Sequence, residues 1–420
     1  MLTFNYRYRI YPDAIQTETL LEWLEICRGS YNYALREIKD WLGSRKSPIN
    51  ACSIVSEYVI KADCPFPNEV NQLNALPKAK KKFERLKQPP SQVLQQTIKQ
   101  LHRAWEFFQQ RGFGFPRFKK VGQFKSLLFP QFNSNPLTGE QIKLPKLGSV
   151  LINQHRPIPE GFVVKQVRIL RRADLWYAVV TISSDVNVAQ PLPHGHAIGV
   201  DVGLEKFLAT SDGLKIKPPK FFKKLQSKLA LLQRRLSRKT KGSKNYIKAL
   251  NQVARLHHHI DCTRKNFHYH VAHWLCDQGG MIFVEDLDYR VCAKGMFGKQ
   301  MLDAGFGQFR ALLKYVCFKR GVYFALVDAR GTSRECPNCK REWSNDLSIR
   351  WHCCERCGYA SDRDVASGEV IRDRGLEEIS TQGLTGERKL PGAIELPGAN
   401  SLGKWCNPFK RNNQECPIVS

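Results

Sequence analysis

The sequence predicts an α/β domain joined to a small β-barrel, and three observations carry that prediction. Apolar runs end in an acid at Ile198-Gly-Val-Asp201 and again at Ile282-Phe-Val-Glu285. Strand-like segments flank a helical stretch in the first half, at residues 3–10 and across 141–184. Two Cys-x-x-Cys pairs, Cys336/Cys339 and Cys354/Cys357, are followed directly by Asp362-Arg363-Asp364. A chain of 420 residues is long enough for two to four domains with real cores.

The elements follow in order. Phe4, Tyr6, Tyr8 and Ile10 alternate with Arg7 and Arg9, which predicts a strand over 3–10. Pro12-Asp13 opens a helix whose apolar positions include Leu20, Trp23, Leu24, Cys27, Tyr31, Ala34 and Ile38. Residues 43–75, rich in Pro, Ser and Asn, read as irregular. Residues 91–110 form an amphipathic helix with Val93, Leu94, Ile98, Leu101, Trp105 and Phe108 inward. Aromatics and cations then interleave from Arg111 through Phe115, Arg117, Phe118 and Lys119 to Lys120. Such a segment can stack bases and neutralise phosphates, or it can be a core-edge loop with snorkelling cations. Residues 142–147, 163–170 and 175–182 read as strands. With the first strand they would close a barrel, leaving the helices at 14–110 as its insertion.

Pro191-Leu-Pro-His-Gly-His reads as a linker. A buried strand ending in Asp201 follows, then a basic helical stretch at 219–275 that Gly242-Ser243 breaks into a hairpin. Lys223, Lys228, Arg234, Arg235, Arg238, Lys239 and Lys248 crowd this hairpin, which presents phosphate-binding cations or a solvated face. A second strand ends in Glu285, a helix occupies 305–320, and a third strand covers 322–328. The cysteine segment spans 332–358, a helix starts near 364, and the chain from 376 reads as disordered.

Composition narrows the function classes. Sixty-six Lys and Arg against 38 Asp and Glu give a net charge of +28. That excess repels itself unless a polyanion offsets it, so nucleic acid is the leading partner, with an anionic membrane surface the lesser alternative. No apolar run is long enough to span a bilayer, and the N-terminus lacks a signal-peptide pattern. The cysteines outside the paired motifs are scattered as reduced thiols, which places the protein in the cytoplasm or nucleoid. Two Cys-x-x-Cys pairs fourteen residues apart fit a four-thiolate, structural Zn²⁺ site, with Cys354 preferred over Cys353. His257, His258 and His259, with His268, His270 and His273, lie in the basic helix. Consecutive helical residues point about 100° apart, so these histidines read as phosphate or base contacts before metal ligands.

Carboxylates at strand ends stand where α/β sheets gather ligands, and a carboxylate pair can hold Mg²⁺ beside phosphate oxygens. Each acid alone also reads as a turn or helix cap; together Asp201, Glu285 and an acid from Asp362 or Asp364 point to a metal-dependent nuclease.

The combination resembles the TnpB, or OrfB, family of transposon-encoded proteins related to type V CRISPR effectors. The resemblance is carried by Tyr8-Arg-Ile-Tyr-Pro, Cys27-Arg, Tyr31-Asn-Tyr-Ala and Gly114-Phe-Pro-Arg-Phe-Lys. It continues in Ile198-Gly-Val-Asp-Val-Gly, Val284-Glu-Asp-Leu, Thr332-Ser-Arg-Glu-Cys-Pro-Asn-Cys, Cys354-Glu-Arg-Cys-Gly and Asp362-Arg-Asp-Val. It implies an RNase H-like RuvC nuclease domain with an inserted zinc ribbon, preceded by a wedge β-barrel that carries an inserted helical domain. It further implies Asp201, Glu285 and Asp364 as the catalytic triad holding two Mg²⁺, with Cys336, Cys339, Cys354 and Cys357 on one Zn²⁺. Asp364 is preferred to Asp362 because the family acid precedes a Val-Asn-Ala-Ala run. Here that run departs to Val365-Ala-Ser-Gly368.

The domains expected are 1–12, first barrel strand; 13–115, helical recognition domain; 116–190, the rest of the barrel; 191–331, nuclease domain; 332–360, zinc ribbon; 361–375, C-terminal helix; and 376–420, tail. The implied partners are a guide RNA and double-stranded target DNA, with the protein a monomer or a homodimer on the RNA. Tyr8, Arg117, Lys119, Arg234, Arg235, Arg238 and Lys239 are the candidate nucleic-acid contacts. The implied activity is RNA-guided DNA cleavage beside a short flanking motif. RNA-guided binding without cleavage, an unguided transposase and a compact CRISPR effector stand as alternatives.

Overall fold

The computed structural model describes residues 2–46, 60–61, 63–112, 114–342 and 350–381. The chain forms two compact units that divide between Val188 and Ala189.

The first unit begins with β1 (Leu2–Tyr11) and α1 (Ala14–Lys46), followed by α2 (Glu69–Lys82) and α3 (Ser91–Arg111). The strands β2 (Ser126–Phe129), β3 (Leu137–Thr138), β4 (Gln141–Leu144), β5 (Gly148–Asn153), β6 (Val163–Arg172) and β7 (Leu175–Ser184) complete it. Among the described residues they make one seven-stranded sheet in the order β2-β6-β7-β1-β5-β4-β3. The first strand is thus central, pairing antiparallel with both β7 and β5. Its alternation buries Phe4, Tyr6, Tyr8 and Ile10 on one face. Edge strands β2 and β3 are not neighbours in this order, so the expected barrel is an open half-barrel. The cause is local: β3 has two residues and β4 only four, too short to wrap round to β2. Residues 69–75 belong to α2, where the sequence suggested irregular chain. Asn68 caps that helix by accepting from Asn71 N–H, and Gln72 is buried, donating to Ala34 O and Glu37 Oε2.

The second unit opens with β8 (Ala197–Asp201), β9 (Leu208–Thr210) and β10 (Lys215–Ile216), then the basic helices α4 (Phe221–Ser237) and α5 (Lys244–Gln278). Next come β11 (Met281–Glu285), α6 (Tyr289–Cys292), α7 (Gly298–Ala304), α8 (Phe306–Arg320) and β12 (Tyr323–Val327). A short ribbon hairpin, β13 (Trp351–Cys353) and β14 (Ala360–Asp362), leads straight into α9 (Arg363–Thr381). Among the described residues the main sheet has five strands, ordered β10-β9-β8-β11-β12. Its first three strands are antiparallel, while β8, β11 and β12 run parallel.

Side chains alternate across this sheet. Ile198, Val200, Ile282 and Val284 pack with Val271, Leu275, Phe309, Leu313 and Val316 of α5 and α8. Ala197, Phe283 and Val327 meet Ile371 and Ile379 of α9 on the opposite face. Asp201 and Glu285 share the parity of Ala197 and Phe283, so the alternation assigns them to the face that α9 covers.

One correction concerns α9. The helix runs to Thr381, beyond the expected tail boundary at 376, because Leu376 and Ile379 continue its apolar stripe onto Phe283 and Val327. Residues 382–420 of the expected tail lie outside the described residues. The departure at Val365-Ala-Ser-Gly368 has a packing reason. A Cβ on Gly199 would collide with Gly368 O, and one on Gly368 would stand 2.8 Å from Ser211 N. Helix and strand therefore touch backbone to backbone, and Ala366 beside this contact is 1% exposed.

Candidate active site and metal centre

Strand register sets the first two acids side by side. Val200 pairs with Val284 in the parallel ladder, so Asp201 and Glu285 leave adjacent strands at the same end. Such strands lie about 4.8 Å apart. Asp364 stands in the first turn of α9, the helix packed across β8. The three acids therefore come from three elements to one end of the parallel strands β8 and β11.

Their electrostatics agree with that geometry. The Asp201 carboxyl is held well above the usual carboxylate range, first by burial and then by the charges of Glu285 and Asp364. Arg363 and the Val202 N–H act in the opposite direction. Glu285, 7% exposed, is raised by burial, while a hydrogen bond from Thr332 and the charge of Arg374 offset part of that rise. Tyr289 is pushed up by burial, and the charges of Glu285 and Asp201 add to the shift.

Asp362 is engaged elsewhere. Lys206 Nζ lies 2.6 Å and Lys215 Nζ 2.9 Å from its Oδ2. Its Oδ1 accepts from Asp364 N–H at 3.1 Å, capping α9. Burial alone would raise this carboxyl, but the two lysines outweigh it and hold it low. Asp364 has looser cationic neighbours: Lys206 at 3.3 Å, Arg363 at 3.7 Å and Arg350 at 3.9 Å.

The sulfurs of Cys336, Cys339, Cys354 and Cys357 lie within 4.8 Å of one another, and this cluster could bind zinc. Cys336 and Cys357 are 3.6 Å apart, as are Cys339 and Cys354. Tetrahedral Zn–S bonds of about 2.3 Å require sulfurs roughly 3.8 Å apart. Cys353 is exposed on β13 and takes no part, whereas Cys354 is 2% exposed. Among the described residues, this cluster is the one group of three or more His, Cys, Asp or Glu side chains placed to hold a metal ion. Asp201, Glu285 and Asp364 do not form such a group; Glu285 and Asp364 act on Asp201 through their charges.

The candidate nucleic-acid contacts divide. Tyr8 is fully buried, its hydroxyl donating to Arg156 O at 2.7 Å, and burial pushes it up to about 12. It is a core residue, which corrects the sequence expectation: it shares the inward face with Phe4 and Ile10. Arg7 and Arg9, on the other face, lie over the Tyr177 ring. Arg117 is exposed. Lys119 is anchored by its backbone to Asn32 and lies over Tyr31. Arg234, Arg235, Arg238 and Lys239 are all exposed. The last three join Lys248 in a groove of about 470 Å³ between α4 and α5 whose lining includes no acid. His268 is a core residue too, fully buried, with Nε2–H donating to Ala304 O at 3.0 Å. Sequence reading missed Lys206, Lys215 and Thr332, because their partners lie far away in the chain.

Known proteins share much of this chain. Residues 178–295 match the OrfB_IS605 family model, described as a probable transposase. Residues 306–371 match the Cas12f1-like TNB domain, and 1–47 match the OrfB_IS605 helix-turn-helix domain. In this chain the described part of that last segment is a strand and one continuous helix. The "Putative RNA-guided DNA endonuclease InsQ" of Escherichia coli (strain K12) is 34% identical over 304 residues, covering 68% of this chain and 75% of that protein. A "Putative RNA-guided DNA endonuclease" of Streptomyces pristinaespiralis is 29% identical over 381 residues, covering 88% and 89%. The fold matches that in a Cas12f1–sgRNA–target DNA complex with a TM-score of 0.52 at 13% identity, covering 88% of this chain and 98% of the other.

Proposed function

The chain belongs to the OrfB (TnpB-type) family of transposon-encoded proteins, and we propose that it is an RNA-guided DNA endonuclease that hydrolyses target DNA in a RuvC-type, Mg²⁺-dependent site formed by Asp201, Glu285 and Asp364. The observation that carries this reading is the meeting of three carboxylates from β8, β11 and α9, whose charges act on the buried Asp201. A five-stranded sheet of three antiparallel and two further parallel strands is also what an RNase H-like domain requires.

The donor set fits the metal. Carboxylate oxygens are hard ligands suited to Mg²⁺, and a buried anionic cluster favours a divalent cation. When bound, Mg²⁺ supplies Lewis acidity at phosphorus and a water acidified for attack. Asp201 and Glu285 hold their oxygens on rigid strand ends. Asp364 brings a third carboxylate, oriented by the Asp362 cap on its own N–H. Lys206 and Lys215 fix that cap. Arg350 and Arg363 leave positive charge near Asp364, where a DNA phosphate would approach.

In this reading the guide pairs with the target, so base pairing supplies sequence choice and the protein reads backbone shape and a short flank. The groove of Arg235, Arg238, Lys239 and Lys248 is a candidate track for nucleic-acid backbone. The four cysteines would hold one structural Zn²⁺, all four positions being thiolate. The test is plasmid cleavage by the RNA-loaded protein with Mg²⁺, beside Asp201→Asn. Cleavage lost in the variant while target binding persists supports the reading. Equal cleavage by both proteins overturns the assigned site; target binding with cleavage by neither leaves guided binding alone as the function.

A further inference from the structure

Glu285 does not hold its place alone. Its Oε1 accepts the hydroxyl hydrogen of Thr332, a residue 3% exposed and 47 positions along the chain. Thr332 lies between β12 and the first ribbon cysteine, Cys336. That link is braced from α9. Arg374 donates to Asp328 O at 3.0 Å and Arg330 O at 2.7 Å, and to Glu335 Oε2 at 2.5 Å. The residue after Glu285 is fixed to the end of β12, where that link begins, Asp286 N–H donating to Val327 O at 2.8 Å.

We propose that Thr332 is a positioning residue for the cleavage reaction, its hydroxyl clamping one oxygen of Glu285 so that the other is presented to the metal beside Asp201. This rests on the proposed nuclease reading and deepens it. A glutamate has three side-chain torsions, and ordering such a side chain costs conformational entropy when nothing else restrains it. Threonine is stiff at χ1, so its hydroxyl direction follows from its backbone. Arg374 anchors the backbone before Thr332, at Asp328 and Arg330, and holds the Glu335 side chain after it. A simpler role exists, since the same hydroxyl lies 3.3 Å from Ala329 O and could merely close a turn. A turn-closing role predicts altered stability; a positioning role predicts altered metal affinity and cleavage with stability and target binding kept. Outer partners of metal ligands typically change metal affinity or activity by about 10–100-fold when removed.

The experiment compares Thr332→Val, Thr332→Ser and Asp201→Asn as RNA-loaded protein on target DNA. It reads single-turnover cleavage, target binding, melting temperature and Mn²⁺ affinity by electron paramagnetic resonance. Thr332→Val is expected to bind target normally, but to lose about 10-fold or more in both cleavage rate and Mn²⁺ affinity. Thr332→Ser, which keeps the hydroxyl, should recover most of both. Thr332→Ala replaces valine if the extra methyl upsets packing. If Asp201→Asn is inactive while the valine variant equals wild type in rate and Mn²⁺ affinity, the role given to Thr332 is overturned and the nuclease site stands. A serine variant as impaired as valine also overturns it. Full cleavage by Asp201→Asn instead removes the nuclease reading itself.

Discussion

Asp362 and Asp364 stand two residues apart, yet their surroundings separate their roles. Asp362 pairs with two lysines and caps α9; Asp364 acts on Asp201. Asparagine is as good a cap as aspartate, so Asp362→Asn should keep cleavage within about tenfold of wild type. Asp364→Asn should lower it by more than about 100-fold, since losing a ligand costs more than losing its outer partner. Single-turnover cleavage of both variants checks this. At this scale the sequence was informative where chemistry is local: an acid closing an apolar strand, or cysteines in knuckle spacing. It was misleading at Tyr8, where a motif match outweighed the alternation that buries it. It was silent on Thr332, because nothing near Thr332 in the chain identifies Glu285 as its partner.

Among the elements, α9 joins the two candidate centres. Its first residue follows directly on β14 of the ribbon, and its body lies on β8. Cys339→Ser should therefore lower both bound zinc, measured by atomic emission, and cleavage, since a thiolate zinc site contributes roughly 10 kcal/mol to local folding. Cleavage unchanged with zinc lost would show the ribbon and the acids to be independent. Gly368→Ala forces a Cβ to 2.8 Å from Ser211 N and should destabilise this unit by about 1–3 kcal/mol, seen as a lower melting temperature. Strands β8 and β11 and the helical hairpin were legible from period and Gly242-Ser243. The short edge strands and the end of α9 were not: two-residue strands carry no period, and the last apolar residues of α9, Leu376 and Ile379, follow Gly375 and are separated by Glu377 and Glu378.

For the molecule as a whole, the charge of +28 remains the strongest global statement. Charge reversal at Arg234, Arg235 and Lys239 should flatten the log–log salt dependence of duplex binding by about 0.9 for each phosphate no longer neutralised. An unchanged slope would remove the hairpin from the interface. Among the described residues, no helix is long and apolar enough to cross a membrane. Acid sensitivity follows from His268, which burial lowers from 6.5 to about 4. Between those values the unfolded chain binds the proton that the folded chain refuses, so stability falls as pH drops from about 6.5 towards 4. The loss from His268 reaches about 3 kcal/mol and should be missing in His268→Phe, whose own baseline is lowered by the orphaned Ala304 carbonyl and which keeps the loss from His352, also lowered by burial to about 4. Chemical denaturation at several pH values checks the difference.

Asp201, Glu285 and Asp364 are proposed to share divalent metal. Anomalous diffraction from Mn²⁺ in crystals of the protein with guide RNA and target DNA tests it most directly. Manganese peaks bounded by these three carboxylates are expected, with Asp362 still on its lysines. Manganese bound instead at other acids, with these three left unoccupied in a complex that cleaves, would contradict it.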